Sequence, residues 1–409
     1  MSKRIAIIGT LDTKGEEIRY IKQRIEEQGH QAIVIDVGVL GEVPFEPTIT
    51  RYQVAEASGV GLDKIAAFGE ESEAMNAMAE GASKVVEELY SSDKLDGAVA
   101  IGGSMGTALG LTVMKVLPIG VPKLILSTIA FTPLITSEVV SGDLMMLHWV
   151  AGFWGINDIS RRVLDVAAGA ISGSAKLYSR QKINEKPIVG ITSLGMVACK
   201  YLYWLKPALE QKGYEVAVFY VSGTGGRVFE QAIAEGSICA ALDLATIELG
   251  DQVCGGICSA GAHRLEAAGK KGIPQIIAPG CIDWFRWETP KPLPRKFANR
   301  TKRVHNPLVS VINTLPKEKA TIAKLIADKL NQATGPAAVV VPMGGFSELD
   351  KPGGFSYDPR GREAFRRVLK ANLKPEVKMV ELDANINDPS FADSVMSLLD
   401  EMMQMRQAT

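Results

Sequence analysis

The sequence has almost no net charge. Its 409 residues include 45 Lys and Arg against 46 Asp and Glu, and no long basic run occurs. Proteins that bind nucleic acid neutralise its phosphates with a surplus of basic residues. We therefore expect no nucleic-acid partner.

Cysteine and histidine are scarce. The five Cys all lie between residues 199 and 281, mostly beside Gly and Ala in apolar runs. This pattern predicts free, buried thiols in a reducing compartment. The four His form no i, i+4 pair and no H-E-x-x-H motif, and Cys254 and Cys258 have no second pair to complete a zinc site.

No apolar run is convincing as a leader or a membrane span. The first run stops at Gly9 and meets Asp12 and Lys14, so no signal peptide is expected. Residues 97–114 are uncharged, but Gly, Ser and Thr interrupt them, which favours a buried strand, a glycine turn and a buried helix. We predict a cytoplasmic protein with no membrane partner.

Two common nucleotide motifs are missing. Neither G-x-x-x-x-G-K-[ST] nor G-x-G-x-x-G occurs, which excludes a P-loop ATPase and disfavours a dinucleotide-binding dehydrogenase. Asp36, an acidic residue after the second predicted strand, keeps the dehydrogenase open as an alternative.

Apolar strand-like runs alternate with amphipathic helix-like runs, which predicts parallel sheets with crossover helices. The predicted strands are 4–9, 32–37, 65–68, 96–101, 123–127, 337–342 and 377–382. The predicted helices are 15–28, 72–91, 105–117, 156–178, 361–371 and 389–405.

The chain repeats itself about 180 residues on. The run beginning at Pro187 matches the run from Ile5, the glycine-rich turn at 101–106 matches 254–261, and Gly120-Val121-Pro122 matches 272–274. These matches predict an α/β protein of two tandem Rossmann-like, doubly wound parallel-sheet domains, duplicated, with a cleft between them. We place the domains at 1–182 and 183–409.

The turn after the first strand predicts an anion site. Backbone N–H groups and the positive end of a helix dipole meet at the carboxyl edge of a strand, where phosphates bind. Lys14 would be the counter-charge and Asp12 a Mg²⁺ ligand. The candidate contacts are Gly9, Thr10, Asp12, Thr13 and Lys14. The alternative is that Asp12 or Thr13 simply caps the helix.

A second glycine-rich turn follows the strand at 96–101. Its glycines allow close approach of the backbone to a ligand, and its hydroxyls add donors. The candidates are Gly102, Gly103, Ser104, Gly106 and Thr107, with Thr128 and Asp143 as further contacts. The alternative is a tight turn packed by glycine. The cluster at 157–160 is interpreted as the N-cap of the long helix.

A different site is conceivable in the second half. Cys258 as nucleophile, His263 as base and Asp283 as orienting acid would suit turns at strand ends. Chance clustering at strand ends explains the same residues equally well.

Several motifs together resemble the ATP-binding region of the tomato mosaic virus resistance protein family. They are IGTLDTKGEE at 8–17, IGGSMGT at 101–107, PIGVPK at 118–123 and GINDIS at 155–160, while SAGAHRLEAA at 259–268 resembles the family's second domain. The resemblance implies two Rossmann-like subdomains, ATP bound with Mg²⁺ by the first, and a homodimer. It assigns nucleotide contacts to the two turns, Thr128 and Asp143. Because plant members continue into a TIM-barrel-like domain, it also suggests a separate TIM-barrel-like protein as a partner.

Three functions follow as hypotheses. The leading one is an ATP-binding protein that activates a small-molecule acid in the interdomain cleft. The second is a nucleotide-gated protein-interaction module without turnover. The third is a nucleotide-independent hydrolase or lyase that uses Cys258, His263 and Asp283.

Overall fold

A computed structural model describes residues 2–136, 138–180, 185–195 and 198–407 of the chain. It divides into two compact units, an N-terminal unit of Met1–Ile183 and a C-terminal unit of Asn184–Thr409. No helix in the described ranges is both long enough and apolar enough to cross a membrane.

The N-terminal unit is built on a parallel sheet. Its strands are β1 (Arg4–Gly9), β2 (Gln31–Asp36), β3 (Gly97–Gly102), β4 (Lys123–Ser127) and β5 (Met145–His148). Within the described residues they form one five-stranded sheet in the order β2-β1-β3-β4-β5, with every neighbouring pair parallel. The chain leaves β1 toward β2 on one side and later returns to β3 on the other. The carboxyl ends of β1 and β3 therefore mark the switch point of the sheet.

Helices cover both faces of this sheet. They are α1 (Leu11–Glu27), α2 (Arg51–Ser58), α3 (Leu62–Ala66), α4 (Glu71–Ser91), α5 (Ser104–Met114) and α6 (Asp158–Leu177). Alternation along β1 explains the two layers, because successive side chains point to opposite faces. Ile5 and Ile7 pack in the cluster that contains α1 and α6, whereas Ala6 and Ile8 pack in the cluster that contains α2, α4 and α5. The doubly wound arrangement predicted from the alternating runs is confirmed.

One predicted strand is wrong. Residues 65–68 do not join the sheet, since Ile65 lies in α3 and Phe68 follows that helix. Leu62 and Ile65 are one helical turn apart, and both are buried in the cluster that includes α2 and α4. A run of four apolar residues does not distinguish a strand from a short buried helix.

The C-terminal unit contains a larger parallel sheet. The strands of the whole unit are β6 (Ile188–Ser193), β7 (Glu215–Tyr220), β8 (Ala240–Ala245), β9 (Gln275–Gly280), β10 (Trp284–Glu288), β11 (Lys302–Val304), β12 (Val309–Asn313), β13 (Ala337–Pro342) and β14 (Lys378–Leu382). Its helices are α7 (Leu202–Gln211), α8 (Thr224–Ala234), α9 (Ile247–Cys254), α10 (Ala267–Lys271), α11 (Pro316–Leu330), α12 (Pro359–Asn372) and α13 (Pro389–Gln407). Among the described residues the parallel sheet has the order β14-β13-β9-β8-β6-β7, and β10-β12-β11 form a separate antiparallel sheet.

The repeat predicted from the sequence is visible in the strand order. The series β7-β6-β8-β9 follows the same order as β2-β1-β3-β4, and Pro122 and Pro274 directly precede corresponding strands. The match of 101–106 to 254–261 is wrong, because the first turn follows strand β3 whereas the second follows helix α9. The counterpart of β3 is β8, which ends at Ala245 without a glycine turn.

Candidate functional site

A cavity of about 430 Å³ lies at the carboxyl ends of β1, β2 and β3. The turn after β1, residues 37–40, the start of α5 and parts of α3 and α4 line it. This is the switch point of the sheet, where open α/β folds bind their ligands. The candidates Gly9, Thr10, Asp12, Thr13, Lys14 and Gly106 all line this cavity.

Lys14 is held at the cavity by hydroxyl groups. Its Nζ donates to Thr10 Oγ1 at 3.1 Å and to Thr13 Oγ1 at 2.9 Å, and the two hydroxyls are 2.7 Å apart. The backbone at Lys14 departs from helical geometry, with φ −136° and ψ 21°. Nζ also lies 5.4 Å from the centroid of the Phe153 ring. The turn therefore fixes an ammonium group at the edge of the cavity.

The charge of Lys14 is incompletely compensated. Burial lowers its pKa below the ordinary value of 10.5, although Asp12 and Glu17 act in the opposite direction. In the described part of the chain no carboxylate lies within ion-pair distance of this ammonium. A desolvated cation without a bonded anion favours binding of an anionic ligand.

The side chains of this turn do not cap α1. The helix begins at Leu11, and its N-cap Thr10 makes no side-chain capping hydrogen bond. Instead, the Leu11 N–H donates to Asp36 Oδ1 at 3.1 Å. The alternative in which Asp12 or Thr13 serves as the cap is wrong, and these side chains face the cavity instead.

Asp36 has a structural role that excludes the dehydrogenase interpretation. It is fully buried, accepts from the Gly38 N–H at 2.9 Å, and pairs with Arg51 Nε at 2.7 Å. A carboxylate that binds a ribose must be free to accept its hydroxyls. Asp36 has its oxygens occupied, and it is not among the residues that line the cavity.

Asp12 packs against the loop that contains Leu40 and Gly41, to which Arg51 donates hydrogen bonds. Gly41 has φ +74°, and a Cβ there would lie 2.9 Å from the Cβ of Asp12. Arg51 Nη1 donates to the carbonyls of Leu40 at 2.8 Å and Gly41 at 3.2 Å. The loop and the carboxylate therefore share one wall of the cavity. Neither Arg51 nor its pairing with Asp36 was predicted, since no spacing rule connects residues fifteen apart across a loop.

The second predicted turn contributes less to the cavity. A Cβ on Gly102 would lie 2.6 Å from Gly106 Cα, so this glycine is required for packing. Thr107 Oγ1 hydrogen-bonds the hydroxyl of Ser127 at 2.7 Å, inside the core. The first helical hydrogen bond of α5 joins the Thr107 N–H to the Gly103 carbonyl, so the amides before it point toward the helix start.

The predicted contacts Gly102, Gly103, Ser104 and Thr107 do not line the cavity. Thr128 lies beside them, since its hydroxyl would be 3.8 Å from a Cβ on Gly103. Gly103 is the N-cap of α5 and Ser104 is its first residue. These two residues can contribute to the site only through the backbone amides at the start of the helix.

Asp143 lies at the wrong end of β4. Its Oδ2 accepts from Lys123 Nζ and from the Gly120 N–H, both at 2.7 Å, and its Oδ1 accepts from Ser141. Lys123 is the first residue of β4, whereas the cavity is formed at the carboxyl ends of the strands. The prediction that Asp143 contacts a nucleotide is therefore wrong, and Asp143 instead forms a structural ion pair with Lys123.

The proposed triad of the second half is not assembled. The side chain of His263 is 89% exposed and its Nδ1 contacts Glu266. Asp283 is fully buried and accepts from the hydroxyls of Ser347 and Ser356. Cys258 lines another cavity, and burial raises the pKa of its thiol, which disfavours the nucleophilic thiolate.

Arg264, in the motif at 259–268, has a structural role that the sequence did not indicate. Arg264 is buried, donates Nε to Glu248 at 2.8 Å and Nη2 to Asp243 at 2.7 Å, and also pairs with Glu230. Burial of Glu230 raises the pKa of its carboxyl although Arg264 opposes this. Arg264 therefore ties α8, β8 and α9 to the loop before α10. Of the five free cysteines, Cys199, Cys254 and Cys281 are buried, as predicted, and the other two are half-buried.

The described residues contain no cluster of three or more His, Cys, Asp or Glu side chains that could hold a metal ion. Asp12 is the carboxylate of the β1 turn that faces the cavity. Magnesium commonly takes one carboxylate together with phosphate oxygens and water, so this donor set suits a metal that arrives with a phosphate ligand.

These features define a two-unit α/β protein with a cavity at the switch point of the sheet in its N-terminal unit. Residues 3–180 match the N-terminal domain, and residues 186–403 the C-terminal domain, of the uncharacterised protein family UPF0261. The chain belongs to this family.

Bacterial and plant proteins are similar over nearly the whole chain. A UPF0261 protein of Brucella suis is 39% identical over 399 residues, covering 98% of this chain and 95% of that protein. A UPF0261 protein of Clostridium tetani is 38% identical, covering 99% of this chain and 100% of that protein. The ToMV resistance protein Tm-1(GCR237) of Solanum lycopersicum is 30% identical, covering 96% of this chain and 55% of that protein. The predicted relationship to the family of the tomato protein is confirmed.

Solved structures give weaker similarity. UDP-GlcNAc 2-epimerase of Methanocaldococcus jannaschii has 8% identity and a TM-score of 0.24, over 96% of this chain and 99% of that one. MurG of Acinetobacter baumannii has 14% identity and a TM-score of 0.22, over 98% and 100% of the two chains. At these scores the similarity supports no inference about this protein.

Proposed function

We propose that the N-terminal unit binds ATP together with Mg²⁺ in the cavity at the switch point of its sheet. The observation that carries the proposal is Lys14, a desolvated ammonium held by two hydroxyls and facing the cavity without a paired carboxylate. Phosphate oxygens would supply the missing negative charge. The amides at the start of α5 lie at the same edge of the sheet and favour the same charge.

The rest of the cavity suits the other parts of a nucleotide. Phe68, Met75 and Leu109 contribute apolar wall, which a purine ring can contact. Asp12 would hold Mg²⁺, which arrives with the phosphates and keeps several of its waters. The metal would neutralise phosphate charge that Lys14 alone cannot balance.

As an enzyme, the protein would use this ATP to activate a small carboxylic acid. In that step a carboxylate oxygen forms a bond to the γ-phosphorus, the bond to the bridging oxygen breaks, and ADP leaves with its electron pair. The loops around His263 and Asp283 do not suit the acid, since one side chain is exposed and the other is fully buried. The chemistry requires positioning and charge stabilisation, which Lys14, hydroxyls and Mg²⁺ can supply.

A nucleotide-gated interaction module is the second candidate. One relative is a virus resistance protein, a name that describes an effect on another organism rather than a reaction. In this version ATP favours one conformation, which recognises a protein partner without turnover, and the protein acts as a homodimer.

Calorimetric titration of the full chain with Mg·ATP tests the shared proposal. Wild-type protein should bind one ATP, and Lys14→Ala should weaken binding by about 10- to 100-fold, because a hydrogen bond to a charged group contributes about 1.5–3 kcal/mol. ADP and AMP should bind progressively more weakly, since Lys14 and Mg²⁺ act on the phosphates.

Lys22→Ala is the matched control. Lys22 lies on the same helix, pairs with Glu26 at 2.8 Å and is not among the residues that line the cavity. Its variant should bind ATP as the wild type does. Absence of saturable ATP binding, or equal affinity in wild type and Lys14→Ala, would overturn the proposal. An ATP turnover assay with a panel of carboxylic acids then separates the enzyme from the interaction module.

A further inference from the structure

The C-terminal unit has a cavity of its own, of about 480 Å³. Leu194 and Tyr220, at the carboxyl ends of β6 and β7, contribute to one side. The small antiparallel sheet β10-β12-β11 contributes the opposite side. The position corresponds to the nucleotide cavity of the N-terminal unit, since β6 and β7 are the counterparts of β1 and β2 in the repeated strand order.

Two arginines flank a valine on one face of the antiparallel sheet. Arg286 on β10 and Arg303 on β11 both pair with Val311 on β12, and all three line the cavity. Residues directly opposite each other on neighbouring strands share a face of the sheet. This face of the sheet therefore presents one guanidinium group on each side of the apolar Val311 side chain.

Arg286 is a fixed part of the wall. Its Nε donates to Asp251 Oδ2 at 2.8 Å, its Nη2 to the same oxygen at 2.6 Å, and its Nη1 to the Val221 carbonyl at 2.7 Å. Asp251 is fully buried and neutralises this charge. Arg286 contributes rigid shape and donor geometry rather than net charge.

The acidic residue of the lining is also neutralised. Glu348 pairs with Lys200 at 3.2 Å and with Lys351 at 3.0 Å. Although burial opposes ionisation, hydrogen bonds from the two lysines keep the pKa of Glu348 below its ordinary value. The two cations exceed the one carboxylate, so this side of the cavity is not anionic.

Arg303 is the charged residue of the cavity lining whose charge is not neutralised by a partner among the described residues. Its guanidinium forms no hydrogen bond or ion pair with any residue in the described ranges, and the His305 ring beside it forms none either. The cavity thus combines an uncompensated cation with a mainly apolar lining that includes Leu194, Trp284 and Leu349. The guanidinium fork matches the two oxygens of a carboxylate.

We propose that this cavity binds a small organic acid, with its carboxylate at Arg303 and its apolar body between Leu194, Trp284 and Val311. The binding site stands on the geometry of the C-terminal unit alone. Its role as the site of the acid that ATP activates rests on the proposed function.

Fluorescence titration of the full chain with 2-naphthoate, with benzoate and octanoate as competitors, tests the site. One naphthoate should bind per chain, and the uncharged analogue 2-naphthamide should bind at least about tenfold more weakly, because it lacks the charge-assisted contact. Arg303→Gln should reduce naphthoate affinity by about tenfold while leaving naphthamide unchanged.

Lys302→Gln removes an exposed charge from the neighbouring position of β11, which faces the other side of the strand, and should leave naphthoate binding unchanged. No binding of any of the three acids, equal affinity for naphthoate and naphthamide, or an unchanged Arg303→Gln variant would each overturn the proposal. Lys14→Ala should affect ATP alone and Arg303→Gln the acids alone, so the two proposals fail separately.

Discussion

Asp283 should make the C-terminal unit less stable as the solution becomes neutral. Its carboxyl is fully buried, and burial, followed by the charge of Asp350, raises its pKa from 3.8 to about 6. Hydrogen bonds from Ser356 and Ser347 to Oδ2 limit the rise, and Oδ1 has no partner among the described residues.

The sign of the effect follows from the raised pKa. The folded state binds the proton more tightly than the unfolded state, so the stabilisation is complete below about pH 4 and is lost as the pH rises through about 6. The difference between the two pKa values corresponds to about 3 kcal/mol of unfolding free energy.

Urea unfolding of wild type and Asp283→Asn, followed by tryptophan fluorescence between about pH 4 and about pH 7, measures this contribution. The neutral amide cannot titrate, so the stability of the variant relative to wild type should increase by about 2 kcal/mol across this range, most of the full difference. Ser347→Ala should enlarge the pH dependence, since it removes a hydrogen bond to the charged form. A constant difference between wild type and Asp283→Asn at all pH values would refute the reasoning.

Two further predictions concern packing and buried charge. Gly81→Ala should lower the unfolding free energy in urea by about 1–3 kcal/mol, because its Cβ would lie 1.9 Å from the Val54 carbonyl oxygen. Gly169→Ala, in an exposed helical position with nothing within 4 Å, should raise it by about 1 kcal/mol, and the same sign for both would contradict the packing argument. Arg264→Met should destabilise the protein by about 3–5 kcal/mol in the same assay, because the buried carboxylates of Asp243 and Glu248 and the half-buried carboxylate of Glu230 lose their partner. A loss below about 1 kcal/mol would show that the carboxylates are satisfied without it.

Most of the parallel architecture could be predicted because its signals are local. Strands at 4–9, 123–127 and 337–342 agree with the structure to the residue, and Asn157 caps α6 through the Ile159 and Ser160 amides as predicted. Buried central strands are continuous apolar runs, and helices between them carry recognisable start signals.

The antiparallel sheet of the C-terminal unit was not predicted. β11 has three residues, and its partner β12 lies after a short loop rather than a glycine hairpin turn. A signal was present in the alternation of Val309, Ser310 and Val311, which places two valines on one face. Arg303 could not be selected from the sequence, since its importance depends on the cross-strand pairing with Val311.

The residues predicted to contact a nucleotide differ in whether local sequence determines their position. The side chains predicted at the β1 turn line the cavity because they follow a strand end directly. Asp143 was misplaced because its position depends on an ion pair with Lys123, twenty residues away and at the other end of a strand. Long-range ion pairs of this kind have no signature in local sequence.

The buried Asp36 has a consequence for how a ligand enters the N-terminal cavity. It connects the first turn of α1 through Leu11 with the loop at Gly38, and Arg51 attaches the same loop further along at Leu40. Ordering such a loop costs about 1–2 kcal/mol of entropy per residue, and here folding itself has already fixed it. A ligand of this cavity would therefore contact a wall whose shape is already fixed, so its affinity would not be reduced by the cost of ordering the loop, and selectivity would depend on fit rather than on closure.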